Sequence, residues 1–281
     1  MKLFEIFRLT RPEQWYKNIL IFVVPFFSRQ IFSNIHGLFF GFILLCLVSS
    51  ANYIINDILD REKDRLNPEK RNRPIASGKV SVTEGLILSA LLLVSAFSLA
   101  FYISKPMFFV ILVLFVNTQL YSFIFKRHIF MDVISVALNF SIRAMGGHAF
   151  VSARISNWVI LCTFFLAILL ATAKRYSEYL FVAGSRKGAL KIYDRKTLDH
   201  LLSFSSVSFV LSVAIFPFFS EFSGRMLYLL PVLIFICFRY IFLVRTGSVI
   251  ARKPQMIFKD HLLFLSALFY LGSSFIMIYL L

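Results

Sequence analysis

Five polar side chains recur along one stretch of an otherwise apolar sequence: Ser49, Asn52, Asn56, Asp60 and Asp64 follow one another at three- and four-residue steps, with Asp57 beside them. On a helix that spacing builds one polar stripe, and a stripe of acids and amides lines a cavity rather than facing lipid. Three carboxylates within two turns repel one another unless a cation sits among them. Hard oxygen ligands with room for water and phosphate suit Mg2+, which takes one or two carboxylates together with phosphate oxygens. Asp57, Asp60 and Asp64 are therefore the candidate metal ligands and the candidate catalytic groups. The competing reading is a solvated helix end whose acids pair with Arg61, Lys63 and Arg65.

Cations follow the acids. Residues 67–79 form a basic loop punctuated by Pro68, Pro74 and Gly78, in which Lys70 and Arg73 can clamp phosphate oxygens. Arg143 interrupts an apolar run, where an ionised side chain costs at least about 2.5 kcal/mol. With Asp132, Ser135 and Asn139 it forms a second polar stripe, and it is either a structural arginine bonded to helix-end carbonyls or a ligand for an anionic group. Lys174 and Arg175 close another apolar run, where they suit a helix C-terminus as well as a phosphate. Lys17, beside Trp15 and Tyr16, fits an interfacial anchor and can also face a cavity.

Such side chains need a scaffold. The 281 residues are 59% hydrophobic, with a mean hydropathy of +0.79, which is more apolar surface than one soluble core buries. Lipid takes the excess, since about 20 residues cover a hydrocarbon layer of about 30 Å. Spans are expected near 18–32, 37–57, 83–104, 106–124, 130–150, 156–173, 201–219, 226–243 and 259–281. The expected fold is all-α: a polytopic membrane bundle of about nine helices around a cytoplasm-facing cavity, forming one domain over 1–281. Pro25, Ser28 and Arg29 interrupt the first run and predict a kink or early exit. Lys2, Arg8 and Arg11 precede that run as in a signal peptide, but no small-residue cleavage pattern follows, so the segment is read as retained.

Of the 30 Lys and Arg, 25 fall before the first span or in alternate loops. The opposite loops hold only Arg29, Lys105, Arg154 and Arg225, and Arg143 lies within a span. This asymmetry puts the N-terminus in the cytoplasm of a cell (inner) membrane and, with nine spans, the C-terminus outside. The net +16 is then a property of one face that attracts anionic membrane lipids. Nucleic acid is excluded as a partner, because the basic residues are spread over loops without a recognition motif. Cys46, Cys162 and Cys237 are odd in number and lie within spans, as packing residues do. The five histidines are scattered, so neither a zinc site nor a Ser-His-Asp triad can be drawn from the sequence; only His148, beside Gly146 and Gly147, stands out. Two inner loops are long, 57–83 and 174–200, and the second and sixth spans echo each other by ending in a polar cluster before a basic loop.

Together these residues resemble the UbiA superfamily of intramembrane prenyltransferases, over nearly the whole chain. The carriers are Arg11-Pro-Glu-Gln-Trp15, Asn56-Asp57-x-x-Asp60-x-x-x-Asp64 and Asn67-Pro-x-Lys-x-x-Arg-Pro-Ile-x-x-Gly78. The resemblance implies nine helices around a central cavity that binds a Mg2+-diphosphate on the cytoplasmic side. Members that prenylate an aromatic ring carry a second motif, Asp-x-x-x-Asp, after the sixth span; here that place reads Lys174-Arg-Tyr-Ser-Glu178, and Asp194 and Asp199 have the wrong spacing. With Trp15-Tyr-Lys-Asn18, Tyr121-Ser122 and Ile142-Arg143-Ala144, the chain is similar to the polyprenyl-phosphate phosphoribosyltransferase branch. That branch uses phosphoribosyl pyrophosphate as donor and a polyprenyl phosphate, such as decaprenyl phosphate, as acceptor.

By this resemblance Asn56, Asp57, Asp60 and Asp64 hold Mg2+ on the leaving diphosphate. Lys17, Lys70, Arg73, Lys126, Arg143, Lys174 and Arg175 contact phosphate groups, and Tyr121, Tyr176 and Glu178 contact ribose or phosphate. The surplus of cations agrees with a donor and acceptor that both carry phosphate. An already anionic nucleophile needs no general base, which agrees with the lack of a His or Glu dyad. An aromatic prenyltransferase shares the first motif and is the nearest rival. A transporter is the rival from another class, opposed by the one-sided charge and the lack of broken, Gly-rich central helices. A homo-oligomer is compatible with the sequence.

Overall fold

The computed structural model describes residues 2–151, 157–181, 193–219 and 224–280. Arg154, Arg186, Lys187 and Lys191, counted above among the loop charges, lie outside the described residues. The regular structure of the described residues is entirely helical: α1 (Lys2–Leu9), a 3-10 helix (Pro12–Phe22), α2 (Val23–Phe27), α3 (Ile35–Leu59), α4 (Arg61–Arg65), α5 (Val82–Ile103), α6 (Lys105–Phe123), α7 (Met131–Met145), α8 (Asn157–Phe181), α9 (Arg195–Ile215), α10 (Leu230–Arg245), α11 (Val249–Arg252) and α12 (His261–Tyr279), with short 3-10 turns between some of them. The chain divides into two compact units. The first is Met1–Ser122 with Ile142–Ala153, and the second Phe123–Ser141 with Arg154–Leu281.

In the first unit α3 carries the core. Asn34 caps it, its Oδ1 accepting from the Gly37 N–H at 2.9 Å, and 25 residues give it a length of about 37 Å. Leu38, Leu44, Leu45 and Val48 of α3 pack with Ala96, Ala100, Met107, Ile111 and Leu114. Ser81 and Glu84 form a reciprocal capping box that starts α5. A Cβ on Gly147 would lie 2.4 Å from the Ile21 carbonyl oxygen, so only glycine allows that close approach. The second unit is built around Leu169, Ala173, Tyr176, Leu198, Leu202, Leu233, Cys237 and Val244.

Seven helices of the described residues are long and apolar enough to cross a membrane: Ile35–Leu59, Val82–Ile103, Lys105–Arg127, Trp158–Phe181, Arg195–Phe219, Arg225–Arg245 and His261–Tyr279. They coincide with seven of the expected spans. The segment expected at 18–32 is instead the 3-10 helix followed by the five residues of α2, which end at Phe27 before Arg29 turns at φ 56°. That is the early break anticipated at Pro25 to Arg29. The segment expected at 130–150 is the 15-residue α7 followed by a 3-10 turn, Gly146–Ala149. Apolar side chains such as Phe39, Ile43, Leu91, Phe109, Leu265 and Phe269 stay exposed along the long helices, as a lipid-facing surface requires. The protein is a multi-pass membrane protein.

Candidate functional site

The polar stripe does not run unbroken to Asp64. α3 stops at Leu59, Asp60 caps it by donating its N–H to the Asn56 carbonyl at 2.9 Å, and α4 begins at Arg61. The buried acids are Asp57 and Asp64, 2% and 3% exposed, whereas Asp60 is half-buried. Arg73, from the basic loop, bridges the two: its guanidinium donates to Asp57 Oδ1 at 3.1 Å and to Asp64 Oδ2 at 2.6 Å. Arg11 also donates to Asp57 Oδ1, and Lys70 Nζ stands 4.0 Å from Asp64 Oδ1. Asp57 Oδ2 is buried and has no hydrogen-bond partner.

The competing partners are occupied elsewhere. Arg61 and Arg65 pair with Glu62, at 3.7 and 3.1 Å, and only Lys63 approaches an aspartate, Asp60, at 3.8 Å. Among the described residues no three His, Cys, Asp or Glu side chains are grouped as a metal cage, so Asp57, Asp60 and Asp64 do not converge as the stripe predicts. What the structure offers is narrower: two buried carboxylates, one with an oxygen to spare. That donor set fits a Mg2+ that takes its remaining ligands from phosphate and water. Asn56 Oδ1 accepts from Ser122 Oγ at 3.3 Å, and Asn52 Oδ1 accepts from Gln119 Nε2 at 2.6 Å, so the amides fasten α3 to α6. Tyr121, next to Ser122, is half-buried.

Deeper along α3 lies a second polar group of the same unit. Arg143, 6% exposed, donates from Nε to Asn18 Oδ1 at 2.8 Å and from its terminal nitrogen to Ser49 Oγ at 3.4 Å. Asn18 Nδ2 donates to Cys46 Sγ at 3.2 Å, and Trp15 Nε1 to Ser50 Oγ at 3.0 Å. Lys17 is half-buried, with its ammonium 5.9 Å from the centre of the Tyr16 ring. Burial, reinforced by Arg143 and Arg11, pulls Lys17 down to about 8 against the opposing pull of Glu13. A cation held among cations has a physical demand for an anion.

The second unit holds the remaining candidates. Arg175 donates from Nε to Asp132 Oδ2 at 2.8 Å and from a terminal nitrogen to Glu178 Oε2 at 2.7 Å. The Tyr193 hydroxyl donates to Asp132 Oδ1 at 2.7 Å and accepts the Phe130 N–H at 2.9 Å. Burial and the bond to Asp132 push the Tyr193 phenol well above its ordinary range. Tyr176 is 1% exposed, a core side chain whose hydroxyl donates to Asp199 Oδ1 at 3.3 Å. Lys126 is half-buried in the 3-10 turn Phe125–Arg127, and Lys174 is exposed on α8.

The sequence profile of the UbiA prenyltransferase family matches residues 19–269. The chain belongs to that family. Among its relatives is an uncharacterized protein, y4nM, of Sinorhizobium fredii, 34% identical over 72% of this chain and 40% of that one, so the chain spans two fifths of that relative's length. The decaprenyl-phosphate phosphoribosyltransferase of Mycolicibacterium smegmatis is 28% identical over 76% of this chain and 70% of its own. In fold, this UbiA family member is similar to a UbiA homolog from Archaeoglobus fulgidus solved with DMAPP and Mg2+, with a TM-score of 0.75, 23% identity and coverage of 98% and 99% of the two chains.

Some residues of this UbiA chain take positions that spacing does not assign. Arg11 is only part of a motif in the sequence; the structure puts it on Asp57. Asn18 and Ser49 are the partners of Arg143, and Tyr193 is the partner of Asp132. A signal for the first three is present, since Arg11 and Asn18 flank the aromatic cluster and Ser49 opens the stripe. Nothing in the sequence marks Tyr193.

Proposed function

We propose that this UbiA family member transfers a 5-phosphoribosyl group from phosphoribosyl pyrophosphate to a polyprenyl phosphate and releases diphosphate, with Mg2+ as its metal. One observation carries the reading: Lys17, Arg143, Arg11 and Arg73 gather in the same unit as a buried carboxylate pair, so the site has more positive charge than its acids neutralise. That surplus suits two phosphorylated substrates better than one prenyl diphosphate and a neutral ring. The relatives named for decaprenyl-phosphate phosphoribosyl transfer and the Lys174 to Glu178 segment in place of a second aspartate pair support the same choice. The whole chain acts as one catalytic domain of nine spans, with the acids on the cytoplasmic side.

Asp57 and Asp64 would hold the metal, which when bound supplies charge neutralisation for the departing diphosphate. Arg11, Lys70 and Arg73, which now rest on the acids, are placed to follow the diphosphate. Lys17 and Arg143 take a second phosphate, that of the 5-position or of the lipid. The C1–O bond to diphosphate breaks with oxocarbenium character while an oxygen of the lipid phosphate bonds to C1. No proton has to move, so the site needs no general base.

Purified protein in lipid nanodiscs, given labelled phosphoribosyl pyrophosphate, Mg2+ and decaprenyl phosphate, is expected to yield a labelled lipid. Turnover of a prenyl diphosphate onto a phenolic acceptor, with no labelled lipid from the phosphoribosyl donor, would overturn the substrate assignment in favour of the aromatic branch.

A further inference from the structure

The mechanism leaves α1 unused. Its eight residues present two different faces. Leu3, Phe4 and Phe7 are 83%, 67% and 53% exposed on one side. On the other, Leu9 is fully buried with Ile54, Ile75 and Val80, and Ile6 packs beside them. The single acid of the helix, Glu5, turns inward onto Lys79 at 2.7 Å, so the outer face carries no negative charge. Lys2 pairs with Glu84 at 2.5 Å. Because Glu84 belongs to the capping box that opens α5, a membrane-length helix, this pair fixes α1 at the level where that span enters the bilayer.

An apolar row at that depth, flanked by Lys2 and Arg8, has the form of a helix lying in the membrane interface. The chain that follows is short and tightly held. The Thr10 carbonyl accepts from Ser50 Oγ at 2.9 Å. Arg11 adopts φ 52°, a left-handed backbone that non-glycine residues rarely take, with its guanidinium on Asp57 and 5.3 Å from the centre of the Tyr53 ring. Only Thr10 separates the buried Leu9 from Arg11.

We infer that α1 is an interfacial strap: Leu3, Phe4 and Phe7 insert into the headgroup–acyl boundary of the leaflet on the acid cluster's side, and this seat holds Arg11 on Asp57. The occupant of the exposed face is thus the phospholipid surface. The inference does not depend on which substrates the site takes.

The test is site-directed spin labelling in nanodiscs. Phe4→Cys is labelled in a Cys162→Ala background, since Cys46 and Cys237 are buried. The label is expected to be accessible to oxygen and shielded from a water-soluble nickel chelate. Free access of the chelate overturns the strap, and so does dipolar broadening between labels, which would show a second copy on that face. The coupling to Arg11 is read by hydrogen exchange. In Leu3→Ser/Phe4→Ser/Phe7→Ser, amides of residues 5–14 are expected to exchange at least about tenfold faster than in wild type, with residues 85–100 unchanged. Phe4→Ser alone, which leaves the Phe7–Trp15 ring contact in place, is the milder variant and is expected to give about a threefold increase. Unaltered exchange in either inserted variant overturns the coupling. Both readouts are independent of turnover, so a wrong substrate assignment leaves them intact.

Discussion

Each unit contains an arginine bridging two carboxylates. In the first, Arg73 joins Asp57 to Asp64; in the second, Arg175 joins Asp132 to Glu178. The two bridges differ in what they leave over. Asp132 has both oxygens engaged, one by Arg175 and one by Tyr193. Asp57 has one oxygen crowded by two arginines and the other buried with no partner. A buried acceptor left unsatisfied costs about 1–3 kcal/mol, and natural chains tolerate that where something else is to bind. On this difference we read the first bridge as open to a ligand and the Asp132 end of the second as a closed clasp.

The sharpest way to break this comparison is to neutralise one acid in each unit. Asp57→Asn is expected to lower turnover by about 10^3-fold, equivalent to about 4 kcal/mol, with membrane insertion retained; because Asp57 is itself a buried partner of Arg11 and Arg73, it should also cost about 3 kcal/mol of stability. The nanodisc activity assay and thermal unfolding in detergent measure both sides of this claim. Asp132→Asn should cost stability without that loss of turnover. It strips a fully buried member from an ion pair, with Arg175 itself largely covered, and should cost about 3 kcal/mol of stability. If Asp132→Asn lost turnover as steeply as Asp57→Asn, or Asp57→Asn kept it, the roles assigned to the two bridges would be wrong.

One half of each bridge is readable in the sequence. The acids of α3 announce themselves because carboxylates at helical spacing, at the end of an apolar run, are costly to place there unless a cation or a cavity receives them. Asp132 with Arg143 is visible as a stripe for the same reason. Their partners are less visible because they are distant in the chain: Arg11 lies 46 residues from Asp57, Arg175 43 from Asp132, and Tyr193 61 from Asp132. No local periodicity encodes such pairings. The long apolar helices are readable from hydropathy alone, whereas the 3-10 character of Pro12–Phe22 is not, since an apolar run does not distinguish a tighter winding from an α-helix. The stripe also treats Asp60 as one more helical step, because spacing cannot show that α3 ends at Leu59, one residue before it.

A smaller effect sharpens the view of the first unit as the open one. Lys17, lowered to about 8, is mostly charged at pH 7 and mostly neutral at pH 9. The KM of the substrate whose phosphate Lys17 holds, donor or lipid, is expected to rise about five- to tenfold across that interval, and Lys17→Arg, whose guanidinium stays charged, should flatten the profile. The sign for stability is opposite. Because the unfolded chain binds more protons than the folded one between about pH 8 and the ordinary lysine value of 10.5, Lys17 contributes increasing stability as pH rises through that window. Thermal midpoints of wild type and Lys17→Arg across the same range separate the two effects.

The smallest expected change tests whether the second bridge is closed. Tyr193→Phe removes one hydroxyl that serves both Asp132 Oδ1 and the Phe130 N–H. Arg175 remains on Asp132, so the ion pair survives and the loss should be about 1 kcal/mol, well below that of Asp132→Asn. Combining Tyr193→Phe with Asp132→Asn should then cost less than the two single losses added, because the hydroxyl's main acceptor has already been altered. Strict additivity in a double-mutant cycle would mean that Tyr193 and Asp132 act separately, and the clasp would reduce to the Arg175 pair alone.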